Sequence, residues 1–396
     1  MVYFEPLDLY NRNLPPCEIE FIKELEGLMK TRLYVKRSVK AYKSLSVGIQ
    51  LRKGNIVGLN LYRGGKDRLR DYETLYGKTI EDYKLTTIPQ LIGNLKSLEY
   101  LDLADNKLTT LPDSICELKA LKFLDVSNNE LEQLPKYFGA LKSLEFLSLD
   151  QNKLTNLPES FGSLTTLKIL RLKFNQLTTL SEGFSNLKAL KELSLISNRI
   201  TTLPKSINKL ESLQYLNLIK NQLTNLPESI VNMKSLQTLF LTNNKLKMLP
   251  ASLDSLTSLE GLRIGGNELT TLPESIGALP RLLSLEFSNN KITHLPKSLT
   301  NLPYLKYINA DNNPLDVKSK RILNEVKAQI NLRRSNILKP NMIEGLGPTY
   351  IKKLNTICRI NTVNDLIISD PNLIAKKIKT VSPRKAKKWI SAAKLL

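Results

Sequence analysis

The sequence predicts an α/β solenoid, in which short parallel strands stack coil upon coil, followed by a small all-α module. Three observations predict it. An asparagine returns every 23 residues, at Asn106, Asn129, Asn152, Asn175, Asn198, Asn221, Asn244, Asn267, Asn290 and Asn313, ten times without a slip. Each closes an alternating run such as Leu98-Glu-Tyr-Leu101-Asp-Leu103-Ala-Asp-Asn106, with Leu111-Pro112 and the apolar pair Ile115 and Leu118 behind it. After residue 315 the period is lost and basic residues dominate.

The spacing follows from the geometry of a strand. Leu101 and Leu103 alternate, so both side chains point into the coil while their neighbours point out. One coil cannot bury its own leucines. Stacking makes a continuous core and pairs the strands into a parallel sheet, one rung of roughly 4.8 Å per coil. The asparagine sits where the chain leaves the strand, so its amide is expected to satisfy free backbone groups of adjacent coils as a ladder. Pro112, Pro135, Pro158, Pro204, Pro227, Pro250, Pro273 and Pro296 fix an extended segment toward the opposite side. Ser181 interrupts that series, and a local irregularity is expected there.

Residues 84–315 thus resemble leucine-rich repeats of the 23-residue LPxxI class, found in prokaryotic cytoplasmic proteins and small-GTPase scaffolds. The resemblance implies a horseshoe with the parallel sheet on its concave face, acting as a non-enzymatic protein-binding module.

The terminal coils of a solenoid need caps. Residues 1–83 read as the first: an amphipathic helix over Ile19–Met29, then a hairpin of Val47–Leu51 and Ile56–Leu61 turning at Lys53-Gly-Asn55. Leu59 and Leu61 match the strand leucines of an imperfect first coil. Tyr62 to Tyr83 is an insertion, read as a cap loop. Residues 316–340 are the second cap, a helix of roughly Val317 to Arg333 with Ile322, Leu323, Val326 and Ile330 at helical spacing, then a basic linker of Arg333, Arg334 and Lys339 ending at Pro340.

Residues 341–396 begin Ile343-Glu-Gly345-Leu-Gly347-Pro348-Thr-Tyr350, the form of a helix-hairpin-helix opening a helix. The module resembles the N-terminal domain of archaeal recombinases, with Ala386 at the family's packing alanine, and departs from it at Ile351 and Thr380. In that family the hairpin glycines, here Gly345 and Gly347, expose N–H groups that take a phosphate. Lys352, Lys353, Arg384, Lys385, Lys387 and Lys388 lie close in sequence to the two hairpins, an arrangement suited to a nucleic-acid backbone.

The formal net charge of +21 is unevenly spread. Residues 316–396 hold 18 basic and 5 acidic side chains, against 25 and 21 over 84–315 and 15 and 11 over 1–83. Such local excess suggests a polyanionic partner or serves solubility alone. No apolar run reaches membrane-spanning length and no signal peptide is legible, so no membrane contact is expected. Cys17, Cys116 and Cys358 are odd in number and far apart, which frames no disulfide scaffold or zinc site and fits a reducing cytoplasm.

No catalytic constellation is legible. His294 is the only histidine and stands at a threonine position of the repeat, which rules out a His-based triad or multi-His metal site. Gly77-Lys78-Thr79 copies the end of a phosphate-binding loop, yet Tyr72 stands where its first glycine belongs. Asp102 and Asp125 stack one coil apart as a carboxylate pair, most simply read as solvated charge. No enzyme, cofactor, metal or small-molecule substrate is expected.

The outward strand positions map the candidate contact surface. One row reads Tyr100, Phe123, Phe146, Ile169, Glu192, Tyr215 and Thr238, and its neighbour Asp102, Asp125, Ser148, Arg171, Ser194, Asn217, Phe240 and Arg263; Asp150, Lys173, Phe174, Ile196, Ile219 and Lys220 lie beside them. Aromatics flanked by arginine have hot-spot composition. Tyr100, Phe123, Phe146, Arg171, Lys173, Phe174, Tyr215, Lys220, Phe240 and Arg263 are therefore the candidate protein-binding residues; Gly345, Gly347, Lys352, Lys353, Arg384, Lys385 and Lys388 are the candidates for nucleic acid. The function expected is a cytoplasmic scaffold or adaptor holding a protein; the alternative is a nucleic-acid-associated protein whose repeats recruit a factor.

Overall fold

The computed structural model describes residues 14–29, 34–35, 48–61, 84–335, 346, 348–355, 360, 366, 369, 371–378 and 381–393. The insertion at Tyr62 to Tyr83, the linker residues Lys339 and Pro340, and the glycines Gly345 and Gly347 lie outside the described residues. Packing divides the chain into two units, residues 1–304 with 309–319 and residues 305–308 with 320–396. The division falls inside a helix, at Ser319 and Lys320.

In the first unit, helix α1 (Pro16–Met29) buries Phe21, Ile22, Leu25 and Met29 at helical spacing. Strands β2 (Gly48–Arg52) and β3 (Asn55–Asn60) form the expected antiparallel hairpin, bulged between Gln50 and Leu51. Lys53 and Gly54 both have positive φ, 51° and 74°, as a two-residue hairpin turn of the favoured twist requires. A two-residue strand, β1 (Tyr34–Val35), pairs parallel with β2 and carries no periodicity by which the sequence could announce it.

Glu18 is the buried carboxylate of this cap, 2% exposed, and it accepts the Ile56 amide proton at 2.9 Å. Desolvation raises its pKa above the ordinary glutamate value, and the Ile56 hydrogen bond opposes that only in part. A raised carboxyl pKa favours the fold fully below the unfolded value and loses that contribution as pH rises through the folded one. Glu18→Gln keeps the acceptor without the charge. Its thermal midpoint is expected to exceed the parent's at pH 8, with the gap closing at pH 4.

From β3 the sheet runs parallel, beginning with β4 (Tyr100–Asp102) and continuing as one three-residue strand per 23 residues to β12 (Ser284–Glu286). Leu59 registers with Leu101, Leu101 with Leu124, and so on to Leu262 with Leu285, so the imperfect first coil is in phase with the rest. Leu101, Leu103 and their equivalents are buried. Across the coil, Pro112 at φ −65° and ψ 144° leads into a 3-10 turn, Asp113–Glu117, and later coils repeat the turn. Ser181 adopts φ −68° and ψ 156° and leads into the same turn, its carbonyl taking the Phe184 N–H at 3.0 Å. The irregularity expected there does not occur. The site needs an extended φ that proline imposes and serine reaches without strain.

The asparagine ladder is built as the spacing requires. Asn198 accepts the Leu177 N–H at 3.0 Å and donates to Leu172 O at 2.8 Å and Leu195 O at 3.0 Å, tying its own coil to the one before. Asn106 through Asn313 repeat that set. A second ladder runs on the 3-10 side: Ser114, Ser160, Ser229, Ser275 and Ser298 each donate to a carbonyl 24 residues earlier at 2.5–2.7 Å. Phe138, Phe161 and Phe184 stack behind it, with ring centroids 6.2 and 6.1 Å apart and planes within 6°.

Helix α2 (Val317–Ser335) opens on an N-cap, Asp316, whose carboxylate accepts the Ser319 N–H at 2.7 Å. Ile322, Leu323, Val326 and Ile330 are its buried face, as their spacing predicts. In the second unit α3 (Pro348–Lys353), α4 (Pro371–Lys377) and α5 (Pro383–Ala393) enclose a core of Leu346, Ile351, Leu354, Ile360, Leu366, Ile374, Ile378, Val381, Ala386, Trp389 and Ile390.

Candidate functional site

The ladder registers put the two outward rows on one face: Tyr100, Phe123, Phe146, Ile169, Glu192, Tyr215, Thr238 in one, and Asp102, Asp125, Ser148, Arg171, Ser194, Asn217, Phe240, Arg263 in the other. A rung spacing near 4.8 Å is close to the separation of stacked aromatic rings. Tyr100, Phe123 and Phe146 accordingly stack face to face, with centroids 4.3 and 4.4 Å apart and planes within 7°. Tyr100 is only 5% exposed. The expectation that it offers a contact surface is therefore corrected: it is the buried base of the stack, while Phe123 and Phe146 are half-buried and Arg171 covers Phe146 at 5.4 Å.

Further along the sheet Tyr215 meets Phe240 edge-on at 5.7 Å, and Arg263 lies 4.5 Å over the Phe240 ring. Asn217 donates its amide to the Tyr215 hydroxyl at 2.7 Å, which fixes that ring. Arg171, Lys220 and Arg263 are exposed, and among the described residues none has a carboxylate within 4 Å. The Arg171 and Arg263 guanidiniums lie over the Phe146 and Phe240 rings.

The acids of the face have structural work. Asp102 accepts from Ala104 N at 3.1 Å, Asp125 from Ser127 N at 2.9 Å, and Glu286 from Ser288 N at 3.0 Å, each turning the chain two residues on. Asp150 takes the Lys173 N–H at 2.6 Å, with the Lys173 ammonium 3.9 Å away. Burial pushes its pKa up, against the pull of that hydrogen bond and of Lys173 and Arg171. The Asp102 and Asp125 pair is thus a pair of turn caps.

Beside the strands every coil places one residue in the left-handed region, immediately before the ladder asparagine. Asp105, Asn128, Asn243, Asn289 and Asn312 suit it, and so does Gly266; Gln151, Phe174, Ser197 and Lys220, at φ 56°, 55°, 55° and 57°, do not. Phe174 is also 53% exposed. Phe174→Asn is expected to raise the denaturation free energy by about 1 kcal/mol with an unchanged denaturant slope. Phe174 is thus an aromatic at a strained, solvent-facing position.

In the second unit Ser382 caps α5, accepting Lys385 N at 3.2 Å. The helix buries Ala386, Trp389 and Ile390, and Arg384, Lys387 and Lys388 stand exposed opposite. Lys385 lies 4.3 Å over the Tyr350 ring and 5.5 Å over Trp389, with Lys353 5.9 Å over Tyr350; Lys352 is exposed.

Elsewhere His294 is exposed, bridging Thr293 at 2.7 Å and Asp316 at 3.4 Å. Burial pushes the Cys116 thiol up to about 11, and the Asp113 carboxylate adds to it, which leaves an inert thiol. Among the described residues no cluster of three His, Cys, Asp or Glu side chains could hold a metal, and no helix is long and apolar enough to cross a membrane.

Residues 115–199 and 193–266 match the family model described as a leucine-rich repeat region, and residues 80–131 and 257–315 match that of the leucine rich repeat. Among solved structures, a leucine-rich-repeat protein of Leptospira interrogans is 32% identical, with a TM-score of 0.54 over 62% of this chain and 74% of its own. An internalin of Listeria monocytogenes is similar in fold at 21% identity, with a TM-score of 0.52 over 81% of this chain and 89% of its own. The repeat ectodomain of an Arabidopsis thaliana membrane receptor kinase, solved with casparian strip integrity factor 2, is likewise similar in fold at 24% identity and a TM-score of 0.51, over 72% of this chain and 40% of its own. None of the curated proteins matches the chain.

Proposed function

Because the chain belongs to the leucine-rich-repeat family, we propose that it is a non-enzymatic cytoplasmic scaffold or adaptor that holds a protein partner on the outward face of its strands. The observation that carries the proposal is the cluster between Phe146 and Arg263: half-buried rings, exposed arginines that among the described residues have no carboxylate within 4 Å, and one strained exposed phenylalanine, on or beside strands held by the asparagine ladder. Rigid aromatic and arginine anchors are the residues on which protein interfaces concentrate their energy. The C-terminal module adds a second contact.

The test is recovery of the partner by full-length chain. Arg171→Glu combined with Phe174→Ala and Phe240→Ala is expected to lower recovery at least a hundredfold while far-UV circular dichroism shows the repeats still folded. Undiminished recovery would sink the proposal.

A second function rests on a separate observation, the exposed Arg384, Lys387 and Lys388 opposite the buried face of α5, in a module whose sequence resembles a helix-hairpin-helix. In it the module grips a nucleic-acid backbone and the repeats recruit a factor. Full-length chain is titrated with labelled single- and double-stranded DNA and RNA at several salt concentrations. Affinity that falls steeply with salt and is lost in Arg384→Glu, Lys387→Glu, Lys388→Glu supports it; no binding at low salt refutes it.

A further inference from the structure

Arg171 and Arg263 stand in the same outward row, four registers apart through Ser194, Asn217 and Phe240. Ser194, the neighbour of Arg171, is 6% exposed, and its hydroxyl has no hydrogen-bond partner among the described residues. A buried polar group left unpaired is costly, and it stands beside an exposed guanidinium that, among the described residues, has no carboxylate within 4 Å. That pairing is what a carboxylate needs: one charged donor and one hydroxyl donor on a small-residue floor, since Ser148 on the other side of Arg171 is also buried. At the far end Arg263 is braced on the Phe240 ring and exposed. Between the two lie Tyr215 and Phe240, flanked by the half-buried Ile196 and Ile219.

We propose that this stretch binds an extended acidic segment of the protein partner, one carboxylate on Arg171 and Ser194, a second on Arg263, and an apolar side chain between them. The inference rests on the sheet face being a protein-binding surface and specifies what it takes. Four rungs of about 4.8 Å separate the arginines by about 19 Å, which an extended chain at about 3.3 Å per residue covers in about six residues. Discrete carboxylates fit better than a continuous polyanion. Between the arginines Glu192 is exposed in the adjacent row, and beyond them Glu286 follows Arg263 and Asp125 precedes Arg171 in the same row, so a ligand charged at every step would meet repulsion between and beyond its anchor points. The occupant is not the chain's own C-terminal part, where 18 basic side chains face 5 acidic ones.

The test is selection of displayed random 12-residue peptides on the full-length chain, with affinities of the selected synthetic peptides measured against variants. The expected peptides carry two acidic residues five to seven apart around an aromatic or aliphatic one. They bind at least tenfold more weakly to Arg171→Glu and to Arg263→Glu, and three- to tenfold more weakly to Ser194→Ala; a peptide with lysine for its first acid regains affinity on Arg171→Glu. Peptides that need Tyr215 and Phe240 but carry no spaced acids would overturn the inference and leave the protein-binding function standing. Peptides indifferent to every substitution on this face would overturn both.

Discussion

Replacing Asn198 by alanine is expected to lower the unfolding free energy by about 3–5 kcal/mol. Asn198 is 7% exposed, and truncation leaves the Leu177 N–H without an acceptor and takes one donor each from the Leu172 and Leu195 carbonyls, which keep Asn175 and Asn221. The unpaired buried N–H costs about 1–3 kcal/mol, and each of the two further hydrogen bonds lost adds about 1 kcal/mol. Asn198→Asp is expected to recover little, because it restores the acceptor while losing both donors and burying a charge against carbonyls. Denaturant unfolding followed by far-UV circular dichroism reads the loss. Because each coil touches only its neighbours, a split transition would mark the array parting at this coil.

The second large effect lies in the core. Phe161 is 1% exposed and sandwiched between Phe138 and Phe184, so Phe161→Ala opens a cavity flanked by two rigid rings that cannot close over it. The expected loss is about 3–5 kcal/mol. Phe161→Ile is expected to cost under about 1.5 kcal/mol, since Ile115, Ile207, Ile230 and Ile276 fill the equivalent place in other coils. Equal losses for both substitutions would show that the ring stack itself, and not the filled volume, supports these coils.

How much of this was legible in the sequence depends on whether a feature repeats. The leucine rows, the asparagine ladder and the phase of the imperfect first coil follow from a 23-residue count, because a solenoid converts period directly into register. Ser181 was misjudged since proline marks an extended φ without being needed for it. Tyr100 was misjudged because outward on a strand is not the same as exposed: in a parallel sheet like residues fall on one another, and successive rings bury their neighbours. The left-handed position was visible as a column rich in Asn, Asp and Gly, and only the backbone shows that Phe174 and Lys220 share its conformation. Ser194 carried no signal at all, as an unpaired hydroxyl is a property of surroundings that no residue type announces. The expectations resting on Gly345 and Gly347 lie outside the described residues.

The central claim is that the partner docks on the outward face of the strands, and site-specific photo-cross-linking tests it most directly. A benzophenone side chain is placed in turn at Phe174 and Phe240 on that face, and at Tyr137 and Met248, which are 65% and 66% exposed away from the strands. Adducts with one common protein from positions 174 and 240, and none from 137 or 248, are the predicted result. Adducts from position 137 or 248 with none from 174 and 240 would contradict the account and move the interface to the 3-10 side of the coils.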